Sequence, residues 1–143
     1  MRRIGVLLVV SLIVTNTIKS QEIGLRAGNV TGGHFAVDFV FNIGNTARFH
    51  ADAAFEDGLG IDFLYDFMYN NISGEEFKWY LGVGPTVFFS TDPVIGASGE
   101  IGVEYRFAEF PMALGLDWRP TFYLINNNGF LVEGFGFNIR YIF

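Results

Sequence analysis

Acidic and basic side chains recur at even spacing along this chain, with apolar side chains between them. Glu100, Glu104 and Arg106 follow this rule, and Asp117 and Arg119 follow it further along. A spacing of two residues places side chains on the same face of a β-strand. Charges that face one another in a poorly hydrated interior need partners to offset their desolvation. The chemistry that these residues indicate is therefore an ion-pair network.

Two predicted hairpin turns, at residues 57–58 and 108–111, set the expected partners of these charges. They predict the contacts Arg48–Asp66, Glu100–Arg119, Glu104–Asp117 and Arg106–Asp117. Together with Arg140 near the end of the chain, these residues form the predicted ion-pair network, which would fill the lumen of the β-barrel predicted below. The expected consequence is an interior that is closed by its own charges.

Catalysis and metal binding find less support in the residue types. Strand pairing predicts His50 opposite Asp38, which would supply two members of a Ser-His-Asp triad. The serines beyond residue 20 are Ser73, Ser90 and Ser98, and none is adjacent to a histidine. Carboxylates at positions 52 and 62 fall short of the roughly six to eight oxygen ligands that Ca²⁺ takes. We interpret His50 as a hydrogen-bonded lumen residue and expect no catalytic residue, metal or cofactor.

The alternation of apolar and polar residues predicts an all-β chain without a sustained helical period. Turn-forming residues divide it into eight segments: Glu22 to Gly28, His34 to Asn42, Ala47 to Glu56, Leu59 to Tyr69, Phe77 to Phe89, Ile95 to Phe107, Met112 to Leu124 and Phe130 to Phe143. Glycine- and asparagine-containing turns, such as Asn126 to Gly129, suit hairpins between them. We therefore predict an eight-stranded antiparallel up-and-down transmembrane β-barrel.

Side-chain volume decides which face of the predicted barrel points inward. The chain has 17 Phe, 6 Tyr and 2 Trp, and most of them fall on the apolar face. An eight-stranded barrel has an interior only just wide enough for side chains to fill, so these rings would overpack it. Glycines interleaved with the charges leave room for long Arg and Glu side chains in a narrow lumen. The apolar face is therefore predicted to face lipid.

Aromatic residues also mark the two ends of the predicted strands. Bilayer-spanning barrels carry aromatic girdles at both interfaces. One predicted rim contains Phe41, Tyr69, Phe77, Trp79, Tyr105, Phe107, Tyr141 and Phe143, and the other contains Phe35, Phe55, Phe89 and Phe122.

The first 20 residues have the pattern of a cleaved secretory signal peptide. Arg2 and Arg3 precede the apolar run Ile4 to Val14, and a polar stretch ends at Ser20. The apolar run is too short to cross a bilayer as a helix, which disfavours the alternative of a membrane anchor. The absence of Cys excludes lipoprotein attachment and disulfides. We expect a signal peptide at 1–20 and an outer-membrane β-barrel at 21–143.

The charge balance argues against nucleic acid as a partner. The chain has a formal net charge of −6, and three of its nine basic residues lie in the predicted leader. Removal of the leader makes the mature chain more acidic still, whereas binding to phosphates requires a basic surface.

The chain resembles small outer-membrane β-barrel proteins of the OmpA/OmpX type, and more closely a Bacteroidetes family of such barrels. The resemblance rests on the terminal Gly134–Phe143 run, on Gly99–Phe107 and on Leu114–Pro120. It implies that Phe137, Ile139, Tyr141 and Phe143 form the signal read by the barrel-assembly machinery. It also implies a Gram-negative outer membrane, with its lipids as partners.

Several functions remain open for a barrel of this kind. The short predicted loops disfavour a large protein-binding surface, so we expect a monomer with a structural or membrane-integrity role and no catalysis. A narrow ion- or small-solute-conducting pore is the alternative, favoured if Asp38, Asp52 and Asp62 leave unpaired charge along a wet channel. A lipid-modifying enzyme is the third possibility, because such enzymes share this architecture.

Overall fold

The computed structural model describes residues 21–56, 58–125 and 129–143. The predicted leader, residue 57 of the first predicted turn and residues 126–128 of the last one lie outside the described residues. In the described part of the chain, no helix has the length and apolarity needed to cross a membrane.

The described residues form one closed sheet of antiparallel strands. The strands are β1 Gln21–Val30, β2 Gly33–Ile43, β3 Ala47–Ala54, β4 Leu59–Ser73, β5 Phe77–Phe89, β6 Val94–Arg106, β7 Met112–Trp118, β8 Thr121–Ile125, β9 Gly129–Leu131 and β10 Phe135–Ile142. Strand β1 pairs with both β2 and β10, and β6 pairs with β5, β7 and β8. Because β7 with β8 and β9 with β10 are halves of interrupted strands, the sheet closes as an eight-stranded barrel. The prediction of an all-β, eight-stranded antiparallel barrel is confirmed.

The seventh and eighth strands are interrupted at the same level of the barrel. Pro120 follows β7 and has no N–H to donate to a ladder. The backbone amide of Arg119 donates to the Gly134 carbonyl over 2.8 Å, so the two interruptions are held together. The indole N–H of Trp118 donates to the carbonyl oxygen of Val132 over 2.7 Å. The irregular backbone thus keeps hydrogen-bond partners without continuous strand pairing.

The barrel has a polar inside and an apolar outside. Among the described residues, seven hydrophobic residues are buried and most of them are small or medium-sized, whereas 19 polar or charged residues are buried. Large apolar side chains stand outside instead, with Leu25, Phe35 and Phe135 between 61% and 66% exposed. This distribution is the reverse of the usual one, in which Arg, Asp and Glu are almost never fully buried unless they are paired.

One aromatic residue that was predicted to face outward, at one of the two rims, lies inside the barrel. The register of β4 against β5 shifts between Asp66 and Met68. Phe67 and Met68 are therefore both exposed, and Tyr69 is 7% exposed and faces the lumen. A bulge inserts one extra residue and reverses the alternation beyond it. The placement of Tyr69 in the outward aromatic girdle was wrong for this reason.

Candidate functional site

The candidate site is the interior of the barrel, where charged side chains from nearly every strand meet. We define the lumen network as five arginines, one histidine and eight carboxylates: Arg26, Arg48, Arg106, Arg119, Arg140, His50, Glu22, Asp38, Asp52, Asp62, Asp66, Glu100, Glu104 and Asp117. All are buried except Arg106, whose side chain is 18% exposed. Alternation places them there, because every second residue of each strand points inward.

Glu104 is the most connected carboxylate of the network. Arg48 Nη1 donates to its Oε2 over 2.9 Å, and Arg140 donates to the same oxygen. Its Oε1 accepts from Arg106 Nη1 over 3.1 Å and from the Tyr69 hydroxyl. Strands β3, β4, β6 and β10 are thus joined at one carboxylate, and its charge is offset by arginines.

Tyr69 and Arg106 stand at the barrel end where Gln21 and Phe143 lie. Arg106 Nη1 lies 2.7 Å from Glu22 Oε1 and 3.0 Å from the Tyr69 hydroxyl. The Arg48 guanidinium stacks 4.4 Å from the centroid of the Tyr69 ring. A polar cavity of about 760 Å³ opens at this mouth, and Tyr69 and Arg106 are part of its lining. The network therefore begins directly below the cavity.

His50 lies in the middle of the lumen between two carboxylates. Its Nε2 is 2.5 Å from Asp38 Oδ1, and its Nδ1 is 2.7 Å from Glu100 Oε1. A neutral imidazole carries one N–H, and a carboxylate only accepts. Both contacts are hydrogen bonds only when the ring carries two protons, in which case His50 acts as a sixth cation.

Arg119 organises the half of the lumen that lies farther from Gln21 and Phe143. Its Nη1 donates to Asp52 Oδ2 over 2.5 Å and to Asp62 Oδ2 over 2.9 Å. Its Nη2 donates to Glu100 Oε2 over 2.9 Å. Asp62 also accepts from Thr86, whose hydroxyl lies 2.7 Å from that of Thr31. Carboxylates of β3, β4 and β6 therefore share one guanidinium.

The structure brings two of the predicted pairs together. Arg48 Nε donates to Asp66 Oδ2 over 2.7 Å, and Glu100 contacts Arg119. The predicted contacts of Asp117 with Glu104 and Arg106 were wrong: among the described residues, the Asp117 carboxylate binds Arg26 instead.

The register of β2 and β3 also differs from expectation. Val40, not Asp38, is directly opposite His50, because the three-residue connection between β2 and β3 pairs Ile43 with Ala47. The His50 ring instead reaches Asp38 along a diagonal.

No family model, curated protein or solved structure matches this chain. The resemblance to OmpA/OmpX-type barrels therefore stays a prediction from the residues. The closed eight-stranded barrel and its charged interior are observations of the structure, and the functional argument depends on them.

The network contains residues that sequence reasoning did not assign to it. Glu22 and Arg26 lie in the first strand, and Asp38, Asp52 and Asp62 are likewise absent from the predicted ion-pair network. A spacing of four residues places Glu22 and Arg26 on one face, and this signal could have identified them.

The four residues of the predicted assembly signal stand on the outer face of the last strand. Phe137, Ile139, Tyr141 and Phe143 are between 37% and 71% exposed. The rings of Tyr141 and Phe143 contact edge to face, with centroids 5.2 Å apart. The alternation that the resemblance requires is thus present on the barrel surface.

The hydrogen bonds of the described histidine and serine side chains do not assemble a nucleophile and its base. His50 contacts carboxylates on both sides, whereas the Ser98 hydroxyl lies 2.7 Å from the Thr121 hydroxyl. A triad requires the base within hydrogen-bond reach of its nucleophile. Among the described residues, His50 is therefore a member of the carboxylate network and lies beside no serine hydroxyl.

Proposed function

We propose that this protein is an integral outer-membrane β-barrel with a structural or membrane-integrity role, a closed polar lumen, short loops and no catalytic activity. The observation that carries the proposal is the reversed polarity of the barrel, with charges inside and large apolar side chains outside. Exposed apolar surface of this extent drives association in water, whereas hydrocarbon accepts it. A closed barrel also pairs its backbone groups internally, as a bilayer requires.

The closed lumen is favoured by the partners of the three aspartates on which a pore would depend. Asp38 contacts His50 and Arg140, and Asp52 and Asp62 both contact Arg119. Each of these three carboxylates thus contacts a cationic side chain of the protein itself. A conducting path needs groups that mobile ions can approach, and paired charges in a narrow interior oppose this.

The proposed location brings its own partners. Export would depend on a cleaved signal peptide at 1–20, and insertion on the barrel-assembly machinery, which would read the alternating apolar residues that end at Phe143. Outer-membrane lipids of a Gram-negative bacterium would contact the apolar face. Five of the basic residues point into the lumen, which supports a protein without nucleic acid partners and, with its short loops, a monomer.

Two measurements test the location and the closed lumen separately. After expression in a Gram-negative host, we expect the protein in the outer-membrane fraction and resistant to extraction with carbonate. Recovery from the soluble periplasmic fraction would contradict the proposed location. In planar bilayers we expect no conductance from folded protein, whereas reproducible unitary currents would support the pore instead.

A further inference from the structure

Three neighbouring strands place Asp66, Gly82 and Glu100 side by side in the barrel wall. Asp66 in β4 is directly opposite Gly82 in β5, and Gly82 is directly opposite Glu100 in β6. A Cβ atom at position 82 would lie 2.2 Å from Asp66 Oδ1. Gly82 therefore leaves the space into which the Asp66 carboxylate turns.

The two oxygens of Asp66 have different surroundings. Oδ2 accepts the 2.7 Å hydrogen bond from Arg48, whereas Oδ1 is buried and has no hydrogen-bond partner among the described residues. The Asp66 side chain is 0% exposed. A carboxylate oxygen of Asp66 lies within 4.8 Å of one of Glu100. Two carboxylates that meet without a donor need a proton or a cation between them.

His50 completes a set of metal-ligand atoms at this point. Ligand atoms of His50, Asp66 and Glu100 all lie within 4.8 Å of one another. An imidazole nitrogen with carboxylate oxygens is a donor set that suits Zn²⁺ and related transition metals better than Ca²⁺ or Mg²⁺. The other His50 nitrogen contacts Asp38, which is the carboxylate–histidine arrangement that orients metal-bound histidines.

The arginines around the trio hold the carboxylates by their outer oxygens. Arg48 contacts Asp66 Oδ2, and Arg119 contacts Glu100 Oε2. The other oxygen of each carboxylate, Asp66 Oδ1 and Glu100 Oε1, does not contact these arginines. Glu100 Oε1 contacts His50 Nδ1. Such outer contacts fix the orientation of ligating carboxylates.

The charge of the described interior also favours a bound cation. The lumen network has eight carboxylates and five arginines, an excess of three negative charges. A second proton on His50 reduces this excess by one, and a divalent cation with neutral His50 reduces it by two. Uncompensated charge in a low-dielectric interior is costly, so the cation gives the better balance.

We propose that His50 Nδ1, Asp66 Oδ1 and Glu100 Oε1 form a binding site for one divalent transition-metal ion of the zinc class. The ion takes the position of the proton between His50 and Glu100, and that proton leaves to solvent. Bound there, it ties β3, β4 and β6 together at the centre of the lumen. The site depends on the interior alone and is independent of the surroundings of the barrel.

Zinc itself is the probe for this site. The full-length mature chain is unfolded in urea, stripped with EDTA and refolded in detergent with equimolar ZnCl₂ or MgCl₂. We expect about one zinc per chain after gel filtration, and a higher unfolding temperature with zinc than with magnesium or EDTA. Asp66→Asn and Gly82→Ala are expected to lose the bound zinc, and Asp38→Asn to weaken binding about tenfold or more.

Matched variants of the same lumen separate a site from nonspecific binding. Asp117→Asn removes a carboxylate elsewhere, and Gly115→Ala places a Cβ 2.5 Å from Asn138 Oδ1. Both are expected to retain zinc, with folding of every variant checked by circular dichroism. Zinc retained equally by Asp66→Asn and Asp117→Asn would overturn the proposal. So would a folded wild-type chain that releases zinc on gel filtration, which would indicate a shared proton instead.

Discussion

Arg26 in β1 binds Asp117 in β7 across the glycine of the strand between them. Arg26 Nε lies 3.1 Å from each oxygen of Asp117, 91 residues later in the chain. Gly136 in β10 is directly opposite Asp117, and a Cβ there would lie 2.4 Å from the guanidinium carbon. Asp66 and Glu100 meet beside Gly82 in the same way. At positions 82 and 136, a glycine therefore leaves the space that a charged side chain of a nearby strand occupies.

Removal of the Asp117 charge is expected to destabilise the barrel strongly. Asp117→Asn leaves Arg26 as a buried cation without its carboxylate, and breaking a buried pair in this way costs about 3–5 kcal/mol. The free energy of unfolding in urea, followed by tryptophan fluorescence in detergent, measures the loss. Glu56→Gln breaks the exposed His34–Glu56 contact and serves as the control, with an expected cost below about 1 kcal/mol. Equal costs for the two variants would contradict the account.

A methyl group at position 136 is expected to disrupt the same pair without changing any charge. Gly136→Ala places its Cβ against the Arg26 guanidinium, so the side chain must shift and its bonds to Asp117 lengthen. We expect a loss of about 1–3 kcal/mol, as for other overpacked interiors. Gly99→Ala is the matched control, because its Cβ would meet no atom closer than 3.8 Å. Similar unfolding midpoints for both variants would show that the lumen accommodates a methyl group at position 136, which would contradict this prediction.

Much of the fold follows from the sequence because alternation is a local signal. Each predicted segment corresponds to a strand or to an interrupted strand of the barrel. The pattern does not reveal where the alternation of inward and outward side chains reverses. Phe67 and Met68 both face outward at the bulge in β4, and Tyr69 consequently turns inward. The types of Phe67, Met68 and Tyr69 do not indicate the bulge, since all three are large and apolar enough to face outward.

The network was predictable only where a hairpin sets the register. Arg48 and Asp66 are on adjacent strands, and their predicted turn brings them into contact. Arg26 and Asp117 lie on strands that are separated by β10 and far apart in the chain. Their contact depends on how the barrel closes between β1 and β10, which no local pattern specifies.

The indole of Trp118 is expected to support the interruption of the eighth strand. Trp118→Phe retains an aromatic ring beside Phe135 but removes the N–H that donates to the Val132 carbonyl. We expect the free energy of unfolding to fall by about 1 kcal/mol. We also expect faster amide exchange in β9 and in the first residues of β10. Hydrogen exchange followed by mass spectrometry measures this. Phe135→Leu, which loses the stacking alone, is the control and is expected to leave the exchange of β9 nearly unchanged. Unaltered exchange in Trp118→Phe would refute the role of the indole.

A charge in the middle of the apolar face is expected to be costly in a bilayer and nearly neutral in water. Val83 is the central residue of β5 and is 52% exposed. Val83→Arg is expected to cost about 2–4 kcal/mol in lipid vesicles, and Phe89→Arg at the end of the strand about 0–1 kcal/mol. Unfolding titrations in vesicles measure both. A negligible cost at position 83 would argue that this face contacts water.

Contact between the apolar face and lipid is tested most directly by the two tryptophans. Trp79 and Trp118 are the only tryptophans of the sequence. They are directly opposite Val103 and Ile101 of β6, two residues apart on the same face of that strand. In vesicles of lipids brominated on their acyl chains, we predict strong quenching of both, resolved with Trp79→Phe and Trp118→Phe. A folded chain that stays monodisperse in plain buffer, with fluorescence unaffected by these vesicles, would contradict the account.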